Sequence, residues 1–167
     1  MNLASLWHAL EASSIGSYVA SSDWVFPTLE TAHVISIVAV VGYIVVMDLR
    51  LLGIASTTIP VTRLARATLP YAVAAFVIAT LSGVLLFVSK AAIYMVNPYF
   101  LAKLVLLALA GANVAVFHIF TWRTIAAWDG DIALPSPARA AGLLSLTFWI
   151  VIVFCSRMIG YTLGLYE

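Results

Sequence analysis

The chain has 167 residues, 64% of them hydrophobic and 9% charged, with a mean hydropathy of +1.11 and a formal net charge of +1. A soluble domain carries about 25% charged residues, so this chain cannot cover itself with polar surface and its solvent must be lipid. The charge balance gives no reason to expect a nucleic-acid partner, and the single cysteine, Cys155, excludes an internal disulfide or a multi-cysteine metal site.

At this length one membrane domain, 1–167, is expected. The opening stretch has no basic region and no continuous apolar core, so a cleaved signal peptide is not expected. Leu3, Leu6, Trp7 and Leu10 fall at i, i+3, i+4 and i+7. That spacing predicts an amphipathic helix over 1–21 lying on the outer membrane surface, with His8 and Glu11 facing water. A bilayer span needs about 20 mostly apolar residues. Four segments qualify: 24–48, 69–92 after "TTIPVTRLARATLP", 99–122 opened by "NPY", and 141–163 after "DGDIALPSPARA". Proline and glycine clusters punctuate the connections. Short links make neighbours antiparallel, so the fold class is an all-α integral membrane protein, an up-down bundle of four transmembrane helices with an N-terminal surface helix.

Arg50, Arg63, Arg66, Arg123 and Arg139 flank two connections, whereas Glu11, Asp23, Lys90 and Glu167 are sparse and mixed on the other side. The positive-inside rule places the arginine connections in the cytoplasm. Both termini are then periplasmic, in a bacterial inner membrane. Trp24, Tyr94, Tyr99, Trp122, Trp128 and Tyr161 fall near span ends, as an aromatic belt does.

Ionisable side chains within a span are costly and mark function. With a rise of about 1.5 Å per residue, His33 lies roughly 14 Å from the outer edge and His118 roughly 28 Å down. One metal or haem held by both histidines is therefore not expected. Glu30, His33, Lys90, Lys103, Arg157 and Met158 gather in the outer half, and Asp48, Arg50, His118 and Arg123 form a smaller inner set. Glu30 and His33 share a helix face. They read as a haem-iron ligand with a polar neighbour, as bundle polarity, or as a proton or quinone site. Lys90 and Lys103 read as an anion cradle or as snorkelling cations. Arg157, with Tyr161 one turn on, is expected to pair with Glu30 or a ligand, and Met158 is a candidate axial thioether. Cys155 reads as a small packing residue. Asp48 and Arg50 read as a local pair, and His118 as a second cofactor ligand, a proton carrier, or a cap bonding Asp48 or a carbonyl. Small residues at Ala75, Ala79 and Gly83, and at Ala108, Gly111 and Ala115, allow close helix approach and leave room for a flat cofactor.

The pattern "ETAH" ending at His33, "DLRLLG" over 48–53, "NPYFLAK" ending at Lys103, Asn113, His118 and "RMIGY" over 157–161 resembles a bacterial family of uncharacterised four-helix membrane proteins over nearly the whole chain. More distantly, an early first-helix histidine, "KL" at Lys103 and Leu104 and a histidine at that helix's far end resemble CopD-type copper-resistance membrane domains and HemJ-type protoporphyrinogen oxidases. The HemJ likeness implies a b-type haem with His33 as ligand, and sets Lys103 and His118 in the second shared region. It does not extend to the last span, and the nearer family lends no reaction.

The expected function is thus a small integral-membrane b-type haem protein moving electrons between a quinol or a periplasmic redox partner and haem b. The rival is a non-catalytic accessory subunit of a larger membrane complex, binding lipid, pigment or quinone. Copper handling follows from the CopD likeness, but Cu(I) prefers clustered Met and Cys, and here four Met and one Cys are scattered.

Overall fold

Apolar runs broken by proline and polar turns leave the chain little choice but long helices, and the computed structural model, which describes residues 3–131 and 134–165, has them. Two short helices open the chain, α1 (Leu3–Glu11) and α2 (Ser14–Ser21). The long ones are α3 (Val25–Leu51), α4 (Val61–Ser89), α6 (Pro98–Val116) and α7 (Ser136–Thr162), with the short α5 (Ala91–Val96) between α4 and α6. Beyond α6 the chain loosens into a π-helical turn, Phe117–Thr121, and then tightens into a 3₁₀ segment, Trp122–Ala127. Four helices are long and apolar enough to cross a membrane. The chain is a multi-pass, all-helical membrane protein.

The spans start and stop differently from the sequence reading. The second was expected to begin at 69, yet α4 begins at Val61 and continues through Pro70. Pro60 ends the loop, and Val61, Leu64, Ala65 and Thr68 find buried contacts that reward an earlier start. The loop at Asp129 also caps α4 from outside. Its carboxylate accepts from the Thr62 amide at 2.7 Å and the Thr62 hydroxyl at 2.6 Å, and its carbonyl accepts from the Val61 amide at 3.1 Å. These are the orphan donors that every helix start must satisfy.

The long helices lie side by side in the order α4, α3, α7, α6, each antiparallel to its neighbour. The links α3–α4 and α6–α7 join true neighbours, as expected. The link through α5 does not, because α4 and α6 are the outermost pair and scarcely meet. Two apolar clusters hold the row together. Val40, Ala110, Trp149 and Ile152 fill its middle. Leu51, Val61, Phe117, Trp128, Leu134 and Ala138 fill the end that carries Arg50. At the α3–α7 crossing, a Cβ on Gly142 would stand 3.0 Å from Leu51 Cβ and 3.1 Å from the Asp48 carbonyl oxygen, so any larger residue would push the two helices apart by a few tenths of an ångström. Ala108, Gly111 and Ala115 are exposed rather than packed. The face of α6 that meets α7 is the one carrying Ala110 and Asn113, whose Nδ2 donates to the Ala141 carbonyl at 3.0 Å.

The N-terminal segment differs from a single surface helix. It breaks between α1 and α2, where the Ser13 hydroxyl caps α2 by accepting from the Gly16 amide at 3.1 Å. Trp7 packs edge-on against Phe87, and Val19 is buried. Glu11 does not face water. Its carboxylate accepts from the Ala92 amide at 2.9 Å, capping α5, and lies 3.4 Å from His8 Nδ1. His8 is exposed, as expected. At the same end Asn97 is fully buried, its Oδ1 accepting from the Tyr99 amide at 3.0 Å and its Nδ2 donating to the Thr162 hydroxyl at 2.9 Å. One side chain thus starts α6 and ties it to the end of α7. Glu167 lies outside the described residues.

Candidate functional site

His33 enters the seam between α3 and α4. Its Nδ1 is 2.8 Å from the Ala79 carbonyl oxygen and 3.1 Å from the Ser82 hydroxyl. A carbonyl can only accept, and the Ser82 hydroxyl spends its own hydrogen on the Ile78 carbonyl at 2.7 Å. Nδ1 therefore carries the proton and Nε2 is the lone-pair nitrogen of a neutral ring. Nε2 has no hydrogen-bond partner among the described residues. The ring has room because residue 83 is glycine: a Cβ there would stand 2.9 Å from His33 Cε1. Lys103 reaches into the same layer from α6, within electrostatic range of His33 and of the buried Cys155 on α7. His33 and Lys103, both expected at the site, are thus brought together.

Other members of the expected outer cluster are not. Arg157 is exposed, and its guanidinium donates to the Tyr161 hydroxyl at 2.9 Å while stacking 4.5 Å from that ring's centre. It makes no pair with Glu30, which is also exposed and lies within electrostatic range of Tyr94. Arg157 leaves the bundle because the inward face of α7 is taken by Ile152, Cys155 and Ile159. Met158 flanks that face, half-buried. Lys90 stands at the turn between α4 and α5.

The inner set is rearranged further. Asp48 and Arg50 do not pair, because residues two apart on a helix point to different sides. Arg50 is fully buried and serves two loops. Its Nε donates to the Ile59 carbonyl at 2.8 Å and its Nη2 to the Asp131 carbonyl at 3.1 Å, while Nη1 finds no partner among the described residues. Asp48, only 4% exposed, turns inward beside Ser145, and its Oδ2 is buried without a hydrogen bond among the described residues. His118 takes the carbonyl option: its Nδ1 bonds the Val114 oxygen at 2.9 Å, and its ring stacks on Trp122 at 5.5 Å.

Asp48, Ser145, Asn113 and His118 all border a cavity of about 350 Å³ floored by α3 and α7 and walled by α4 and α6. The rest of its wall is apolar and aromatic, with Tyr43, Phe76, Phe117, Trp122 and Trp149 prominent. A shallower hollow continues it past Leu69 and Trp122 to Arg66. Sequence reasoning did not find this cleft. The one signal for it in the sequence is the acid at Asp48 inside an apolar run, which by spacing alone reads as a pair with Arg50. No protein-family model, curated protein or solved structure matches the chain.

Proposed function

We propose that this is a small b-type haem protein of a bacterial inner membrane, in which His33 Nε2 would hold the iron. The observation that carries the reading is the state of the ring. An iron-ligating histidine almost always donates its other nitrogen to a carbonyl or carboxylate, which fixes the tautomer and raises ligand basicity. Here Ala79 and Ser82 hold Nδ1 in that way, Nε2 stays open, and Gly83 supplies the space. When bound, haem would supply one-electron chemistry, exchanged with a quinol or a periplasmic redox protein. Lys103 would place a positive charge near an anionic group beside the ligand. Arg50, Arg63, Arg66, Arg123 and Arg139 at one end support cytoplasmic loops and periplasmic termini.

The purified protein decides the matter by its colour. A Soret band with split α/β peaks on reduction, lost in His33→Ala while helicity persists, is the expected outcome. A parent protein that stays colourless when expressed with excess haem supply overturns the reading. The cleft favours a second one, an accessory subunit of a larger complex that takes up lipid, pigment or quinone. A colourless preparation that co-purifies stoichiometrically with other membrane proteins supports it.

A further inference from the structure

We propose that the cleft between α4 and α6 binds a neutral lipid-soluble hydroquinone drawn from the bilayer, with Asp48 Oδ2 accepting a hydrogen bond from one ring hydroxyl. The inference holds whether or not His33 carries iron. Four observations lead to it. The cavity, about 350 Å³, falls at the small end of ligand sites, which run to about 300–1,000 Å³. Its way in is lateral, because α4 and α6 scarcely meet and the residues at its rim, Val73, Phe76 and Val114, are exposed apolar side chains. A ligand arriving through lipid must therefore be lipophilic. Aromatic walls at Trp149, Phe76 and Trp122 suit a flat ring.

The polar groups choose the head. A buried acceptor without a donor is costly, and Asp48 Oδ2 has none among the described residues, on a side chain that lines the cavity and is only 4% exposed. His118 adds a second acceptor, since its Nδ1 gives its hydrogen to the Val114 carbonyl and leaves Nε2 with the lone pair. Both lack donors, which ring hydroxyls supply and the oxidised quinone, with carbonyls only, does not. A lipophilic cation would also satisfy a carboxylate. The buried Arg50 guanidinium two residues from Asp48, and Arg66 on the hollow that leads in, already place positive charge at this end. A neutral donor fits that field better than a cation.

The test uses the full chain in phospholipid nanodiscs, with decylubiquinone and decylubiquinol as probes. Quinone quenches tryptophan fluorescence, and Trp122 and Trp149 line the cleft. The expected result is a saturable quench above the linear part due to partitioning, half displaced by decylubiquinol at a concentration roughly tenfold below the one at which decylubiquinone half-saturates, about the worth of one hydrogen bond. Asp48→Asn should erase that preference while quinone still binds. Gly111→Leu should remove saturable binding of both, because its Cβ meets nothing within 4 Å and the larger side chain projects into the cleft. Absence of a saturable quench in the parent overturns the proposal. So does an equal response to quinone and quinol, which needs no variant, or full binding in Gly111→Leu. Displacement by tetraphenylphosphonium in preference to decylubiquinol would make the cleft a cation site instead.

Discussion

His33 depends on one missing methyl group. In Gly83→Ala the new Cβ would sit 2.9 Å from Cε1 and 3.3 Å from Nδ1, so the ring must turn away from the Ala79 carbonyl. The expected outcome is loss of the slowly exchanging Nδ1 proton in ¹⁵N NMR and, for the proposed haem, a several-fold fall in Soret absorbance per protein. Gly111→Ala, whose Cβ meets nothing, should match the parent in both. Unchanged His33 signals in Gly83→Ala would show that the seam relaxes freely. Asn97 is a second side chain with no slack. Its fully buried amide serves two helices, so Asn97→Ala removes the donor to the Thr162 hydroxyl and leaves the start of α6 uncapped. A loss of about 1–3 kcal/mol is expected, seen as a lowered thermal midpoint in detergent.

At the scale of elements, the Arg50 end is fastened by loops that close on one another. Arg50 binds the carbonyls of Ile59 and Asp131, and Asp129 caps α4. Lysine has one ammonium and no planar fork, so it cannot reach both carbonyls in that geometry. Arg50→Lys should speed amide exchange around Ile59 and Asp131 together, with the middle of the bundle unaffected. Exchange that rises at one loop alone would separate the two contacts.

Asp129 adds a pH dependence. Partial burial works against its charge, but the Thr62 hydroxyl, the Thr62 and Val61 backbone and Arg50 outweigh it and hold the carboxyl below the usual carboxylate range. A group depressed on folding stabilises fully above its unfolded value, about 3.9, and loses that contribution as pH falls through the folded value. The cap should therefore hold unchanged from neutral pH to about 4 and loosen only in stronger acid, as read by amide exchange at Thr62. Asp129→Ala should lose about 1 kcal/mol at neutral pH, the usual worth of a helix cap, and show no such acid transition. An Asp129→Ala protein that still loosens only below about pH 4 would assign the transition to another acid.

For the whole molecule, four antiparallel crossings put Ser21 on one side of the membrane and Gly130 on the other. Both are exposed, and the native Cys155 is buried. In right-side-out vesicles an impermeant maleimide should label Ser21→Cys at once and Gly130→Cys only after permeabilisation. Labelling of both from one side would break the crossing scheme, and the reverse pattern would turn the molecule over while leaving its fold intact. The row order α4, α3, α7, α6 also leaves the two outer helices flanking a cleft, so the molecule presents an opening to lipid that a closed square of helices would lack.

Much of this was legible in the residues alone. A run of about 20 apolar side chains in lipid must form a helix, because every backbone donor and acceptor has to be satisfied within the segment. The four spans, their antiparallel course and the separation of His33 from His118 follow from that, from short links and from a constant rise per residue. Depth along a helix is a local quantity and sequence reports it. Direction around the axis and the choice of neighbour are not, and there the expectations failed: Arg157 at the depth of Glu30 turns outward to Tyr161, and Asp48 turns into a cleft away from Arg50. The cap from Asp129 to Thr62 spans 67 residues, and the bond from His33 to Ala79 spans 46. Such partners meet only once α3 has packed on α4 and the loops have closed. The tertiary structure alone decided them, because in a chain this apolar all faces of a helix look alike to lipid and only packing tells them apart.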